Sequence, residues 1–200
     1  MNKRPDITII DYGIGNLKSI CFSLDRIGAT YELTNDRNRI MNAQRILLPG
    51  VGEASTAMAE LKRLNLTETI KSLKVPVLGI CLGMQLLCES SEEGDTACLG
   101  IIPVKVKKFT PEDQIKVPHT GWNTISRLKS PLFLDIQEND YLYFVHSFYA
   151  EDSAYTIAEC EYSLYFGAAI ALDNFYGCQF HPEKSGETGE QILRNFIQLS

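Results

Sequence analysis

The sequence predicts an α/β fold with a mixed, largely parallel central sheet flanked by helices, continued by antiparallel strands in the second half. Three observations predict it. Short, continuous apolar runs alternate with helix-periodic segments through roughly the first ninety residues, an order that implies parallel strands buried on both faces. Strand-like segments then follow one another with a hairpin signal between two of them. No composition shift or linker interrupts the 200 residues, so 1–200 read as one domain.

In chain order, Ile7–Ile10 is an apolar run ending at Asp11. Leu17, Ile20, Cys21, Leu24 and Ile27 recur at helical spacing, and Gly28 follows as a C-terminal cap. Thr30–Leu33 reads as a strand, and Arg45–Leu48 as another, stopped by Pro49-Gly50. Helical periodicity covers Ala54 to Leu64 and Leu66 to Leu73. Val75–Ile80 is a buried strand, and a helix from Leu82 to Cys88 follows it. Pro103–Phe109, Leu142–Tyr149, Tyr155–Glu159, Tyr165–Ala171 and Phe175–Phe180 are strand-like, with Asp173-Asn174 as a hairpin turn. Glu187 to Leu199 closes the chain as a helix with Ile192, Phe196 and Ile197 on one face.

Composition narrows the function classes. With 44% hydrophobic residues and 10% aromatics the chain has the material for a core. Nineteen basic against 25 acidic residues leave a net charge of −6, which disfavours a nucleic-acid partner, because phosphate neutralisation needs clustered Lys and Arg. Lys105, Lys107 and Lys108 form the one basic cluster and alternate like a strand face meeting water. No stretch approaches the length of a membrane span, and the N-terminus lacks a signal-peptide apolar region, so a cytoplasmic location with reduced thiols is expected. The six cysteines contain no C-x-x-C pair and there are three histidines; no metal site and no cofactor are expected.

The sharpest local pattern is Val77-Leu78-Gly79-Ile80-Cys81-Leu82-Gly83-Met84-Gln85, a buried strand running through Gly-x-Cys-x-Gly into a helix. This is the nucleophile-elbow arrangement with Cys in place of Ser: small flanking residues permit a tight turn that lifts the side chain off the end of the sheet. The positive end of the following helix favours thiolate over thiol. The other five cysteines read as buried apolar residues. A nucleophilic cysteine needs a base and an orienting group. His181 and Glu183, two apart after a strand-like run, can share a face, with the carboxylate fixing the imidazole tautomer. His146 is the other candidate base, and it and His119 are more often structural residues of this kind.

Leu48-Pro49-Gly50-Val51-Gly52 ends a strand in a Gly-rich turn. It could offer backbone N–H groups to an oxyanion or to a phosphate, or simply make a turn. Gly13-Ile14-Gly15 after the first strand lacks the third glycine of a dinucleotide fingerprint, since Lys18 occupies that place.

Taken together, Pro49-Gly50-Val51-Gly52, Gly79–Gln85 and Gln179-Phe180-His181-Pro182-Glu183 resemble the class I (triad) glutamine amidotransferases, almost end to end. Asp11-Tyr12-Gly13-x-Gly15-Asn16, His119-x-Gly121-Trp122-Asn123, Tyr143-Phe144-Val145-His146-Ser147 and Lys184-Ser185-Gly186 resemble the branch of that family that serves histidine biosynthesis. One departure is Glu53-Ala54, where the family commonly has a small residue and Phe.

The resemblance implies that Cys81 attacks the carboxamide of glutamine, His181 moves the proton and Glu183 holds the imidazole. Val51, Gly52 and Leu82 would supply oxyanion donors, and Gln85, Ser147 and Phe148 would position glutamine. It further implies a heterodimer with a (β/α)8-barrel cyclase that takes up the ammonia, with Asn16, Trp122 and Lys184 at the interface. The alternative left open is a glutaminase feeding a paralogous barrel synthase that amidinates a surface sugar. Glycines at 50 and 52 would let the oxyanion turn flip at low cost, so that hydrolysis waits for the loaded partner.

Overall fold

The computed structural model describes residues 4–110 and 116–199. Its first half is a parallel α/β unit: β1 (Ile7–Ile10), α1 (Leu17–Arg26), β2 (Tyr31–Thr34), α2 (Arg37–Met41), β3 (Ile46–Leu48), α3 (Ala54–Arg63), α4 (Thr67–Lys71), β4 (Val77–Ile80) and α5 (Leu82–Leu87). Then come β5 (Ser90–Ser91), β6 (Thr96–Ala97), β7 (Lys105–Lys108), β8 (His119–Thr124), β9 (Tyr141–His146), β10 (Phe148–Ala150), β11 (Thr156–Tyr162), β12 (Leu164–Leu172), β13 (Phe175–Cys178) and α6 (Gly186–Gln198).

Among the described residues the main sheet runs β2-β1-β3-β4-β13-β12-β10-β7-β5-β6, with β11 paired to β12. β2, β1, β3, β4 and β13 are mutually parallel, whereas β12 turns antiparallel to β13 through the expected hairpin at Asp173, which takes φ 53°. The order changes direction at β1, so the carboxyl ends of β1, β3, β4 and β13 open onto one crevice, where ligands of such sheets bind.

Continuous apolar strands are split by their two-residue period into two cores. Ile7, Ile9, Leu47, Leu78 and Ile80 face α1 and α6 (Ile20, Leu24, Ile192, Leu193, Phe196). Ile10, Ile46, Leu48 and Val77 face α3, α4 and α5 (Ala57, Met58, Leu61, Ile70, Met84). α1 starts where the Asn16 side chain accepts from Ser19 N–H and ends before Gly28, whose φ of 72° is the left-handed cap the sequence led one to expect.

Beyond the short strands β5 and β6, three further features differ from the sequence reading. The short α2 has too few apolar positions for a periodicity signal and is defined by its cap, Asp36, whose carboxylate accepts from Arg39 N–H at 2.9 Å. His119-Thr120-Gly121-Trp122-Asn123, which is absent from the strand-like segments read from the sequence, is strand β8. Its backbone is held by six residue pairings with β9, His119 opposite His146 and Trp122 opposite Tyr143. The apolar run Leu142–Tyr149 is two strands, because the chain leaves the small β8–β9 sheet at Ser147 and enters the main sheet as β10. Among the described residues, no helix is long and apolar enough to cross a membrane. Lys107 on β7 pairs with Glu92 at 3.1 Å rather than joining a basic patch.

Candidate active site

β4 ends at Ile80, and the next residue, Cys81, adopts φ 54°, ψ −111° before α5 begins. A non-glycine residue with that φ is strained, as the elbow requires. The elbow is locked by close backbone approach. A Cβ on Gly79 would sit 2.6 Å from the Gly83 carbonyl oxygen, and one on Gly83 would run into the Leu48 carbonyl at the start of the Pro49–Gly52 turn. Gly50 is packed as tightly, since its Cβ would lie 2.7 Å from Gly83 N. Of the two glycines expected to make that turn a hinge, Gly52 keeps a left-handed backbone with open space (φ 89°), while Gly50 is pinned beneath the elbow. The Tyr12 hydroxyl holds the same turn by donating to the Pro49 carbonyl at 2.7 Å.

β13 supplies the second half of the site. Cys178 lies beside Ile80 in the parallel register, and Cys81 N–H donates to the Cys178 carbonyl at 2.8 Å. The residues that follow each strand, Cys81 and Gln179, therefore leave the sheet side by side. Two residues on, His181 N–H donates to Tyr143 O at 2.9 Å on β9, and the Ser185 hydroxyl bridges His181 O (2.6 Å) and Tyr143 N–H (3.0 Å). Pro182 then starts a single 3-10 turn, Pro182–Lys184, that carries Glu183 back to the imidazole. His181 Nδ1–H donates to Glu183 Oε1 at 2.7 Å, with both side chains buried. The pair thus meets through a proline-initiated turn, not across one face of an extended strand as the spacing suggested.

Nδ1 being committed to Glu183, the buried Nε2 of His181 is the nitrogen left for Cys81. Burial alone lowers the His181 imidazolium. Interaction with the Cys81 sulfur and with Glu183 outweighs it and pushes the group up to about 10. Burial pushes the thiols of Cys88, Cys98, Cys160 and Cys178 up, Cys98 to about 11 and Cys160 to about 12, which leaves them protonated and inert. All six cysteines are free.

Cys81, Leu82, Gln85, Val51, Gly52 and Ser147 line one cavity of about 490 Å³, with His181 and Phe148 also on its wall. Gln85 is buried and its amide nitrogen is fully used, donating to Phe148 O at 3.0 Å and to Gln179 Oε1 at 2.9 Å. Only its oxygen remains for a ligand. Phe148 O is saturated too, since it also accepts from His146 Nδ1–H at 2.7 Å. The Phe148 carbonyl therefore shapes the wall and has no lone pair left for a substrate.

Asn16 and Lys184 stand on the wall of the same cavity, and Lys184 Nζ lies 5.7 Å over the Tyr143 ring, which Trp122 meets edge-on at 6.1 Å. Trp122 is 56% exposed. Of the three residues expected at a partner interface, Asn16 and Lys184 thus share one cavity wall, and Trp122 is joined to Lys184 through the Tyr143 ring. Sequence reasoning gave no role to Tyr12, to Gln179, or to Glu93, whose carboxylate caps α3 by accepting from Ala54 N–H at 2.8 Å. Each acts across the fold on a residue far away in the chain, so no local pattern announces it.

His146 is not placed as a base. It lies in a buried pair with His119, Nδ1 of His119 2.9 Å from Nε2 of His146. Burial pulls His146 down to about 3 and His119 down to about 4. Both are neutral when folded and take up protons on unfolding below the ordinary histidine value. Their contribution to stability is thus present above about pH 6.5 and is lost as pH falls toward 4. Unfolding free energy is expected to fall between pH 6.5 and 5 by on the order of 2 kcal/mol for each buried histidine. Urea titrations across that range check it. A His119→Asn variant should show a flatter pH slope, and an unchanged slope would refute the assignment.

Comparison with known proteins follows the same lines. The family model for glutamine amidotransferase class-I matches residues 8–199. The imidazole glycerol phosphate synthase subunit HisH of Bacteroides fragilis is 50% identical over 194 residues, covering 96% of this chain and 99% of that protein. The subunit of the same name from Shewanella loihica is 47% identical over 207 residues, covering 98% and 92%. Among solved structures, a glutamine amidotransferase superposes with a TM-score of 0.74 over 96% of this chain and 97% of the other at 12% identity, a likeness of fold.

Proposed function

Since the chain belongs to the class I glutamine amidotransferases, and within them to the HisH subunits of imidazole glycerol phosphate synthase, we propose that Cys81, His181 and Glu183 carry out its hydrolysis of glutamine. The observation that carries the assignment is Cys81 on a strained elbow at the end of β4, beside a His181–Glu183 pair delivered by the neighbouring strand.

These roles imply an order of events. With its imidazolium held up to about 10, His181 keeps the proton taken from Cys81 and leaves a thiolate to attack the amide carbon of glutamine. The carbonyl oxygen gains charge as the tetrahedral species forms, and backbone N–H groups of Val51, Gly52 and Leu82 are the donors assigned to it. His181 then gives its proton to the departing nitrogen, so that ammonia leaves and a γ-glutamyl thioester remains on Cys81. The imidazole, now neutral, takes a proton from water as it attacks the thioester, and glutamate and the thiolate–imidazolium pair result. Glu183 stabilises the charged ring and fixes its tautomer throughout. The Gln85 oxygen is assigned to the ammonium group of glutamine, its amide nitrogen being engaged elsewhere.

Ammonia released into water near neutral pH becomes ammonium, which has no lone pair for attack. The product is therefore best passed through protein to an acceptor. The relatives are subunits of a synthase, and a (β/α)8-barrel cyclase subunit is the partner proposed here, docked on the rim marked by Asn16, Trp122 and Lys184. A cytoplasmic heterodimer requiring no cofactor and no metal is the assembly proposed. The reading in which the acceptor is a surface sugar gains no support from the relatives, which are named for imidazole glycerol phosphate synthase.

Glutamate release from glutamine, measured with the chain alone and with a barrel cyclase subunit plus its ribotide substrate, tests the proposal. Little release alone and a rise of at least about 100-fold in the loaded complex is the expected result, the size of a misplaced oxyanion donor corrected. High release alone, unmoved by the cyclase, would refute partner control.

A further inference from the structure

We propose that Gln179 is a further catalytic residue: its side-chain amide donates to the Cys81 sulfur and steadies the anionic nucleophile, oriented there by Gln85, whose amide is fixed by the Phe148 carbonyl, the acceptor on which a second run of hydrogen bonds from Asn123 converges. The proposal rests on the glutaminase reading above and deepens it.

Gln179 is fully buried where β13 runs out beside Cys81. Its amide has two neighbours: Gln85 Nε2 at 2.9 Å and the Cys81 sulfur at 3.6 Å. Which end of an amide is oxygen has to be argued from its partners, and here they leave one solution. The Phe148 carbonyl accepts only, so Gln85 presents its NH₂ group to it. The second hydrogen of that NH₂ points at Gln179, so the atom that receives it is the Gln179 oxygen. The Gln179 nitrogen must then face the sulfur, with an N–H to donate.

Beyond Phe148 the chain continues with the same logic. The Phe148 carbonyl also takes a hydrogen from His146 Nδ1, so the neutral His146 ring accepts at Nε2. His119 Nδ1 is therefore the donor across the 2.9 Å contact, and His119 Nε2 accepts from the Asn123 amide at 3.3 Å. Asn123 is oriented independently, because its nitrogen donates to Glu161 O at 3.0 Å and its oxygen accepts from Thr124 N–H at 2.8 Å. The polarity set at Asn123 and the polarity set at Phe148 agree. Every donor in the chain has an acceptor, and protonating either histidine would set two N–H groups against each other.

A charge-assisted N–H···S⁻ bond in a dry site is worth more than a neutral one. Gln179 thereby stabilises the sulfur anion both before attack and when the thioester breaks down and the thiolate returns. No new covalent step is involved, since the proton lost by Cys81 still resides on His181. His119, His146 and Asn123 are positioning residues that act by holding the Phe148 carbonyl, the acceptor that orients Gln85 and through it Gln179.

The test is the pH dependence of Cys81 alkylation by iodoacetamide, followed by mass spectrometry on the Cys81 peptide of the intact chain. The titratable groups around this site are His181, Glu183 and Lys184 after β13, Cys178 within it, Tyr12 after β1, Glu93 on the cavity wall and His146 at the end of β9. All are retained in the variants. Gln179→Met keeps the volume and removes the donor; Gln179→Glu keeps the shape and the acceptor toward Gln85. Loss of a hydrogen bond to a charged group is expected to raise the alkylation midpoint by about one to two pH units, more in Gln179→Glu than in Gln179→Met. In steady-state glutamine hydrolysis, kcat is expected to fall about 10- to 100-fold, with KM moving by less than about threefold.

Asn123→Ala changes a half-buried residue on β8, and a smaller rise of the midpoint in the same direction is expected. It reads the chain even if the buried variants fail to fold. An unmoved midpoint in folded Gln179→Met overturns the donor role, and an unmoved midpoint in Asn123→Ala overturns the chain. Because alkylation is read on the sulfur without glutamine, these outcomes are distinct from failure of the glutaminase reading, which wild-type glutamate release by Cys81→Ala would signal.

Discussion

Cys81→Ala is expected to lower glutamine hydrolysis by at least about 10⁴-fold, because removing a nucleophile leaves only binding and oxyanion stabilisation to assist water. The small side chain fits the same space, and the elbow's strained backbone, φ 54°, is eased little by alanine. The fold should therefore stay intact, and a complex supplied with ammonium salts at alkaline pH should still make product at a rate within a few-fold of wild type. That combination separates loss of ammonia generation from loss of ammonia use. Residual glutaminase activity within about tenfold of wild type would mean that the hydrolysis runs on another group, and Cys81 would lose its role.

Gly83→Ala is expected to have the largest effect on stability, a loss of about 3 kcal/mol or more, the upper end for overpacking where no side chain can rotate away. The atom that a new methyl meets is the Leu48 carbonyl oxygen, with Pro49 behind it, so the conflict is between two backbones. Relief requires moving the end of β3 away from α5, and with it the Pro49–Gly52 turn. Chemical denaturation gives the loss directly. Variant protein that does fold should show a kcat reduced well beyond its change in KM, since the displaced turn carries the assigned oxyanion donors. A midpoint equal to wild type would show that β3 and the elbow are not in fact pressed together.

Much of this molecule was legible in its sequence because the relevant signals are local. Apolar runs at Ile7, Ile46 and Val77 state that strands are buried on both faces, and the Gly-x-Cys-x-Gly junction states where one of them turns sharply into a helix. Asp173-Asn174 announces its hairpin in two residues. Strand β8 was missed for the same reason: Pro118, Gly121 and Asn123 are turn residues by local preference, and only the pairing with β9 makes them extended. The break at Ser147 was invisible because both strands it separates are apolar.

The sequence by itself determined the fold class, the family and the place of the candidate nucleophile, since each is written in residues close together along the chain. Tertiary structure alone decided what surrounds that nucleophile. The Gly83–Leu48 contact, the Tyr12 hydroxyl on Pro49, the approach of His181 through the Pro182 turn and the amide of Gln179 against the sulfur each join residues from separate strands. Parallel strands bring such residues together only at their carboxyl ends, in a register set by side chains packed on both faces of the sheet. A hydrogen-bond chain whose direction is fixed by one backbone carbonyl, Phe148 O, exists only once that register has been chosen.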